Sequence, residues 1–145
     1  PYPRVAVAID HSEASLAALR LAGRLAADGA HLSVLHVVAP IPKYHAIAGQ
    51  VIPVSPGARH AAELWLTGLA SEIPGADAVL IEGTHAGDEI VRWSEENHPD
   101  LIMVAPHEGL LSRALAGSIV SFVLQHAPVP VLVVRQEHHR KSRSA

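Results

Sequence analysis

Two groups of residues in this chain have the types and spacing that could do chemistry on a ligand. Residues 10–13, Asp-His-Ser-Glu, bring two carboxylates, an imidazole and a hydroxyl together after a short apolar run. These are the residue types of a divalent-metal site or of a Ser-His-Asp device. The second group, Gly117 and Ser118, opens a helical pattern. Backbone N–H groups at the start of a helix attract anions such as phosphate.

The simpler interpretation of the first group is structural. Asp10 ends an apolar run, and Ser12 followed by Glu13 is typical of a helix N-terminus with an acidic first turn. Four adjacent positions cannot all face one ion. The chain also has no Walker sequence, no Gly-x-Ser-x-Gly elbow and no zincin helix motif. We therefore expect no catalytic residue and no metal site.

Short apolar segments alternate with helical patterns along the chain. Residues 4–9, 31–38, 78–82, 101–105 and 130–134 predict strands, and residues 13–28, 58–73, 87–97 and 119–126 predict helices. Strict alternation predicts an α/β fold with a parallel, doubly wound, Rossmann-like sheet of five strands and four helices. Right-handed crossovers give the strand order 3-2-1-4-5. The alternation of Val and Ala in residues 5–9 is typical of a central strand with helices on both faces.

The predicted order places strands 1 and 4 side by side, with their helices on opposite faces. Ligands bind at the carboxyl ends of such strands, so the loops at residues 10–12 and 105–109 should converge there. Residues 39–57 contain four prolines, two glycines and no periodicity. They predict a long surface excursion, which is either a flap over this edge or a variable loop.

Burial was predicted for one face of each helix. The first helix should bury Leu16, Leu19 (or the stem of Arg20), Ala22 and the pair at residues 25–26, and Gly29 should end it. The second should bury Ala62, Leu66 (or Trp65), Leu69 and Ile73, and the last Ile119, Phe122, Val123 and His126. Most of the eleven histidines should be surface residues, whereas His36, within a strand, should hydrogen-bond in the interior.

Composition bounds the remaining function classes. The 145 residues include no cysteine, which excludes disulfides and thiolate chemistry, and no apolar run approaches the length of a membrane span. We expect one domain at residues 1–136, a basic tail at 137–145, and a cytoplasmic location. The net charge is −3 although the last eleven residues are basic. The acidic body therefore argues against nucleic-acid binding.

Four blocks spread over residues 4–135 resemble the universal stress protein family: VAVAIDHSEASLAALRLAGRLA, LSVLHVV, LIEGTHAGDEIVRWSEENHPDLIMVAPH and SRALAGSIVSFVLQHAPVPVLVV. The resemblance implies the five-stranded fold argued above. It also implies a regulatory or interaction module, free or fused to a transporter, that often dimerises through the last strand. Pro130 fits an edge position, and the apolar strand at residues 130–134 independently predicts a homodimer.

Some members of that family bind adenine nucleotides, with the phosphates on a loop of the form Gly-x-x-Gly, nine residues, then Gly-Ser or Gly-Thr. By resemblance, the adenine would lie at the ends of strands 1 and 2 and the phosphates along the loop after strand 4. The candidate nucleotide-binding residues are Ala8, Ile9, Asp10, Val37, Val104, Ala105, His107, Arg113, Gly117, Ser118 and Ile119.

The chain departs from that motif where the first two glycines belong. They would fall at Ala105 and Glu108, or at Val104 and His107, depending on the register. Pro106 offers no N–H, and Glu108 places a carboxylate near the phosphates. We therefore expect weak or absent ATP binding, no required cofactor and no enzymatic activity, with slow ATP hydrolysis left open. The alternative is a sensor of ATP with Mg²⁺, of AMP or of cyclic AMP.

Overall fold

The computed structural model describes residues 2–27, 29–42, 51–106 and 117–135. The strands within these ranges are β1 (Arg4–Ala8), β2 (His31–Val38), β3 (Ile41–Pro42), β4 (Val51–Ile52), β5 (Ala76–Glu82), β6 (Leu101–Val104) and β7 (Val131–Val133). The helices are α1 (Glu13–Ala26), α2 (Pro56–Ser71), α3 (Ala86–Asn97) and α4 (Gly117–His126). The tail at residues 137–145, to which we assigned a basic character, lies outside the described residues.

Five of the strands form one parallel sheet in the order β5-β2-β1-β6-β7. Counted along the chain without the two-residue β3 and β4, this order is 3-2-1-4-5, so the predicted topology is confirmed. β1 is the central strand, because Val5 pairs with Leu32 of β2 on one side and with Leu101 of β6 on the other. β5 and β7 form the two edges of this sheet.

The described parts of residues 39–57 contain more regular structure than the sequence predicted, and the rest of the predicted excursion, residues 43–50, lies outside the described residues. Ile41 pairs with Ile52 in the short antiparallel ladder of β3 and β4. α2 begins at Pro56 rather than at the predicted Ala58. The reason is local: the Ser55 hydroxyl accepts a hydrogen bond from the Ala58 N–H at 3.1 Å, and proline is pre-organised for the first helical position.

The alternation in β1 is matched by a core on each face of the sheet. Val5 and Val7 are fully buried on the face covered by α1 and α2. Ala6, with no exposed surface, packs on the opposite face with residues of α3 and with Val123 of α4. The prediction of a central strand with helices on both sides is confirmed.

α1 presents a stripe of alanines to the sheet. Ala14, Ala18, Ala22 and Ala26 lie four residues apart, and all four are buried. This narrow stripe leaves Leu16 only half-buried and Leu25 39% exposed, so the predicted burial of Leu25 was wrong. Leu19 is buried as predicted.

α4 also faces the sheet differently from the prediction. Val123 is fully buried and Phe122 is half-buried, but Ile119 is 42% exposed and His126 is exposed. α4 packs on α3 at Gly87, where a Cβ atom would lie 3.2 Å from the Phe122 Cβ. The missing side chain of that glycine is what allows Phe122 to sit against α3.

Two helix ends use left-handed backbone. α1 ends at Ala26, slightly before the predicted end, and Gly29 with φ of +94° donates its N–H to the Ala26 carbonyl at 3.1 Å. α3 ends at Asn97, and its C-cap residue His98 has φ of 50° and donates its N–H to the Ser94 carbonyl at 2.9 Å. A histidine in this conformation is strained relative to glycine or asparagine.

Candidate functional site

The carboxyl ends of three neighbouring strands meet at one edge of the sheet. Ala8 at the end of β1 pairs with Leu35 of β2, and Val7 pairs with Met103 of β6. α1 starts after β1 and α4 starts after β6, and the two helices cover opposite faces. This arrangement is the topological switch point at which doubly wound proteins bind ligands.

The sequence-predicted site residues divide into three groups at this edge. His107 and Arg113 lie outside the described residues. Ile9 and Val104 are core residues, 4% and 2% exposed, that pack on opposite faces. Their side chains are therefore directed into the core rather than toward a ligand. The others lie at strand ends or in the first turn of α4: Ala8, Asp10, Val37, Ala105, Gly117, Ser118 and Ile119.

The loop after β1 is organised by the side chains of Asp10 in the loop and Ser15 in the first turn of α1. The Asp10 N–H donates to the Ser15 Oγ at 3.0 Å, and the Ser15 hydroxyl lies 2.8 Å from the Asp10 carbonyl oxygen. Asp10 Oδ1 accepts from the Ser12 N–H at 2.7 Å. Ser15 is only 3% exposed, so the conformation of the Asp10 main chain is set by a buried hydroxyl.

Ser12 in this loop has a structural role. Ser12 is the N-cap of α1, as predicted, because its Oγ accepts from the Ser15 N–H at 3.2 Å. Among the described residues, no three His, Asp or Glu side chains are grouped closely enough to hold a metal ion. Asp10 and Ser12 of the Asp-His-Ser-Glu run are thus engaged in the loop and cap hydrogen bonds that the simpler interpretation expected.

Ile9, just before Asp10, has both main-chain groups occupied. Its N–H donates to the Leu35 carbonyl at 2.8 Å, and its carbonyl oxygen lies 2.8 Å from His36 Nδ1. A carbonyl oxygen can only accept, so Nδ1 of His36 carries the proton. His36 is 9% exposed, and the predicted interior hydrogen bond of this histidine is confirmed.

Three rings meet beside this loop. The His11 and Trp65 ring centroids are 4.0 Å apart with an interplanar angle of 34°. His36 lies edge-on to Trp65 at 4.8 Å, and His11 lies 5.7 Å from His36. Sequence reasoning did not group these residues. One available signal was that His36 shares strand parity with the buried Leu32, which places its ring on the face of α2.

α2, which carries Trp65, is tied at its start to the end of β5. Arg59 forms an ion pair with Glu82, and the Val54 N–H donates to Glu82 Oε1 at 3.3 Å. One carboxylate therefore joins the strand end, the first turn of α2 and the segment after β4. Because both side chains are partly exposed, the ion pair itself contributes at most about 1 kcal/mol.

The crossover from β6 to α4 lies on the other side of β1 from β2, and a ligand phosphate at this edge would lie beside it. β6 ends at Val104 and is followed directly by Ala105 and Pro106, which lacks an N–H donor. The crossover returns at Gly117, the first residue of α4. The start of α4 is thus the place in the described part of this crossover where successive N–H groups can face an anion.

Comparisons with known proteins agree with this architecture. A family model described as the universal stress protein family matches residues 1–135. A curated relative, universal stress protein G of Shigella flexneri, is 29% identical over 141 residues, which cover 92% of this chain and 99% of the relative.

Solved structures share the fold at lower identity. The universal stress protein of Archaeoglobus fulgidus in complex with dAMP has a TM-score of 0.66 and 22% identity, covering 92% of this chain and 98% of that one. A universal stress protein family protein of Arabidopsis thaliana with AMP bound has a TM-score of 0.62 and 20% identity, covering 97% and 96%. None of the helices in the described ranges is long and apolar enough to cross a membrane.

Proposed function

This chain belongs to the universal stress protein family, and from that premise we propose that it is a non-enzymatic regulatory domain that acts as a homodimer and binds ATP weakly or not at all. Its partner is a second copy of the chain together with a regulated protein, either separate or fused, such as a transporter. Its expected location is the cytoplasm. The proposal that ATP binds weakly or not at all is supported by the amino-acid sequence of the segment that follows β6.

The segment after β6 is poorly suited to a polyphosphate. Gly-rich loops bind phosphates because their N–H groups turn inward and the ligand approaches without meeting a Cβ atom. Pro106 removes one of those N–H groups, and Glu108 adds a negative charge nearby in the sequence. A like-charge pair at about 4 Å costs roughly 4 kcal/mol at an effective dielectric constant near 20, or about three decades of affinity. Arg113 or a bound Mg²⁺ would offset part of that cost.

A second candidate function is an adenine-nucleotide sensor that prefers ligands with one phosphate. It is supported by the convergence of the β1, β2 and β6 ends with the start of α4, and by the dAMP and AMP bound to the two structures of the same fold. In this proposal Ala8, Asp10 and Val37 surround the base. Gly117 and Ser118 bind the single phosphate, for which the missing Gly-x-x-Gly loop matters less.

Isothermal titration of the purified chain with ATP, AMP and cyclic AMP, with and without Mg²⁺, distinguishes these functions. The regulatory proposal expects no heat from ATP at micromolar concentration. Binding of AMP or cyclic AMP alone would support the sensor with a single-phosphate site. Micromolar ATP binding would contradict the weak-ATP proposal, and the phosphates would then have to be bound without the glycines.

The homodimer is proposed at the β7 edge. β7 pairs with β6 on one side, where the Ile102 N–H donates to Pro130 O at 3.0 Å and the Val134 N–H donates to Val104 O at 2.8 Å. Leu132, in the middle of β7, is 38% exposed. A short apolar edge strand of this kind favours pairing with a second copy.

A further inference from the structure

The three-ring cluster of His11, His36 and Trp65 holds the loop on both sides of Asp10. On the preceding side, His36 Nδ1 donates to the Ile9 carbonyl while its ring rests against Trp65. On the following side, the His11 ring stacks on Trp65 at 4.0 Å. Both neighbours of Asp10 are therefore held through the same tryptophan.

We propose that Trp65 is a positioning residue for the switch-point edge: together with the Ser15 hydroxyl, which holds the Asp10 main chain, it keeps Asp10 in place by holding Ile9 and His11, and it does not itself contact a ligand there. The Asp10 carboxylate is directed by the Ser12 N–H, and Ser12 in turn joins the loop to α1 as the N-cap of that helix. The ligand part of this inference rests on the nucleotide-sensor function proposed above. The ordering of the loop does not depend on it.

The position of Trp65 in α2 separates this role from general stability. Leu66, the next residue, is 1% exposed and seats α2 in the core. Trp65 is half-buried and lies at the margin of that core, where its ring meets two histidines from other elements. A change at Trp65 should thus loosen the loop more than the sheet.

Hydrogen exchange followed by NMR, in the full chain, tests the positioning role. Trp65→Leu removes the aromatic stack, and we expect the Asp10 and Ser12 amides to exchange about tenfold faster, the size expected from one aromatic pair. Amides of the central strand, such as Val7, should keep their rates. Trp65→Phe preserves an aromatic face and should restore most of the protection.

A matched control is Leu69→Val, one turn further along α2, which removes half-buried apolar surface but no ring. It should lower the overall stability without selectively accelerating Asp10 and Ser12. Unchanged loop rates in Trp65→Leu, or equal acceleration of strand and loop amides, would overturn the proposal.

AMP titration provides the second arm. If the wild-type chain binds AMP, Trp65→Leu should weaken its AMP affinity about tenfold. The AMP affinities of Trp65→Phe and Leu69→Val should stay within about twofold of the wild-type value. An equal loss in all three variants would contradict a positioning role. A wild type that binds no nucleotide would overturn the sensor function instead, and the exchange rates would then decide the role of Trp65 alone.

Discussion

At the scale of single residues, Pro106 and Glu108 in the segment after β6 determine which ligand we expect. Pro106→Ser combined with Glu108→Gly restores an N–H donor and removes a carboxylate, so the affinity for ATP should rise by at least about tenfold. Titration calorimetry measures this change. Glu95→Gly, on the exposed surface of α3, is the matched control and should leave ATP binding unchanged. An unimproved double variant would mean that Glu108 does not face the phosphates.

The strained residue at the end of α3 gives a second prediction at this scale. His98 has φ of 50° with an exposed side chain, and asparagine tolerates that backbone better than histidine. His98→Asn should therefore stabilise the fold by about 0.5 kcal/mol and raise the Tm by about 1–2 °C. His98→Val should lower the Tm, since a β-branched residue is disfavoured in the left-handed backbone conformation. Calorimetric Tm values in the opposite order would refute this.

At the scale of elements, the contact between α3 and α4 depends on one missing side chain. A Cβ at Gly87 would lie 3.1 Å from Phe122 Cδ1, so Gly87→Ala should destabilise the fold by about 1 kcal/mol despite the better helix propensity of alanine. Denaturant unfolding measures this loss. Gly68→Ala, in α2 with no atom within 4 Å of the new Cβ, should instead stabilise by about 0.5–1 kcal/mol.

The close contact between the new methyl group of Gly87→Ala and Phe122 can also be relieved by a substitution in α4. Phe122→Leu in the Gly87→Ala background should recover part of the lost stability, because the smaller side chain leaves room for the new methyl group. If the two substitutions were simply additive, the close approach of α3 and α4 would not be the cause.

At the scale of the whole molecule, the open question is the assembly. Leu132→Lys places a charge at the centre of the exposed β7 edge and should convert the proposed dimer to a monomer with an unchanged circular dichroism spectrum. Analytical ultracentrifugation measures the mass. Leu64→Lys, at a residue of α2 that is 62% exposed, is the control for adding a charge in place of an exposed leucine. A wild-type monomer, or a Leu132→Lys dimer, would contradict the β7 interface.

The sheet could be predicted because its signals are local. The alternation of β1 required helices on both faces, and the strict order of elements left one topology. The ring cluster of His11, His36 and Trp65 could not be predicted from the sequence, because it depends on how α2 packs over β2 and over the loop after β1. The prediction that Ile119 of α4 is buried was wrong for a different reason. Its sequence, GSIVSFVLQH, is apolar on more than one stripe, so periodicity alone does not select the face toward the sheet.

The same difficulty applied to α1 and to the segment before α2. Leu25 was expected inside together with Ala26, but the stripe of alanines faces the sheet and leaves Leu25 exposed. In residues 39–57 the prolines and glycines predicted an irregular segment, so the pairing of Ile41 with Ile52 was missed. The candidate site was located by topology. The hydrogen bonds of Ser15, and the Ile9 carbonyl as the partner of the predicted His36 hydrogen bond, became visible only in three dimensions.

The central place of β1 also has a consequence for biogenesis. Arg4 contacts Asp100, 96 residues away in sequence, and Val5 pairs with Leu101. While the chain emerges from a ribosome, β1 therefore has a partner on its β2 side long before β6 is synthesised. During that interval its other edge is an open template for wrong pairing. Nascent chains stalled before β6 should consequently depend on chaperones far more than chains released after it.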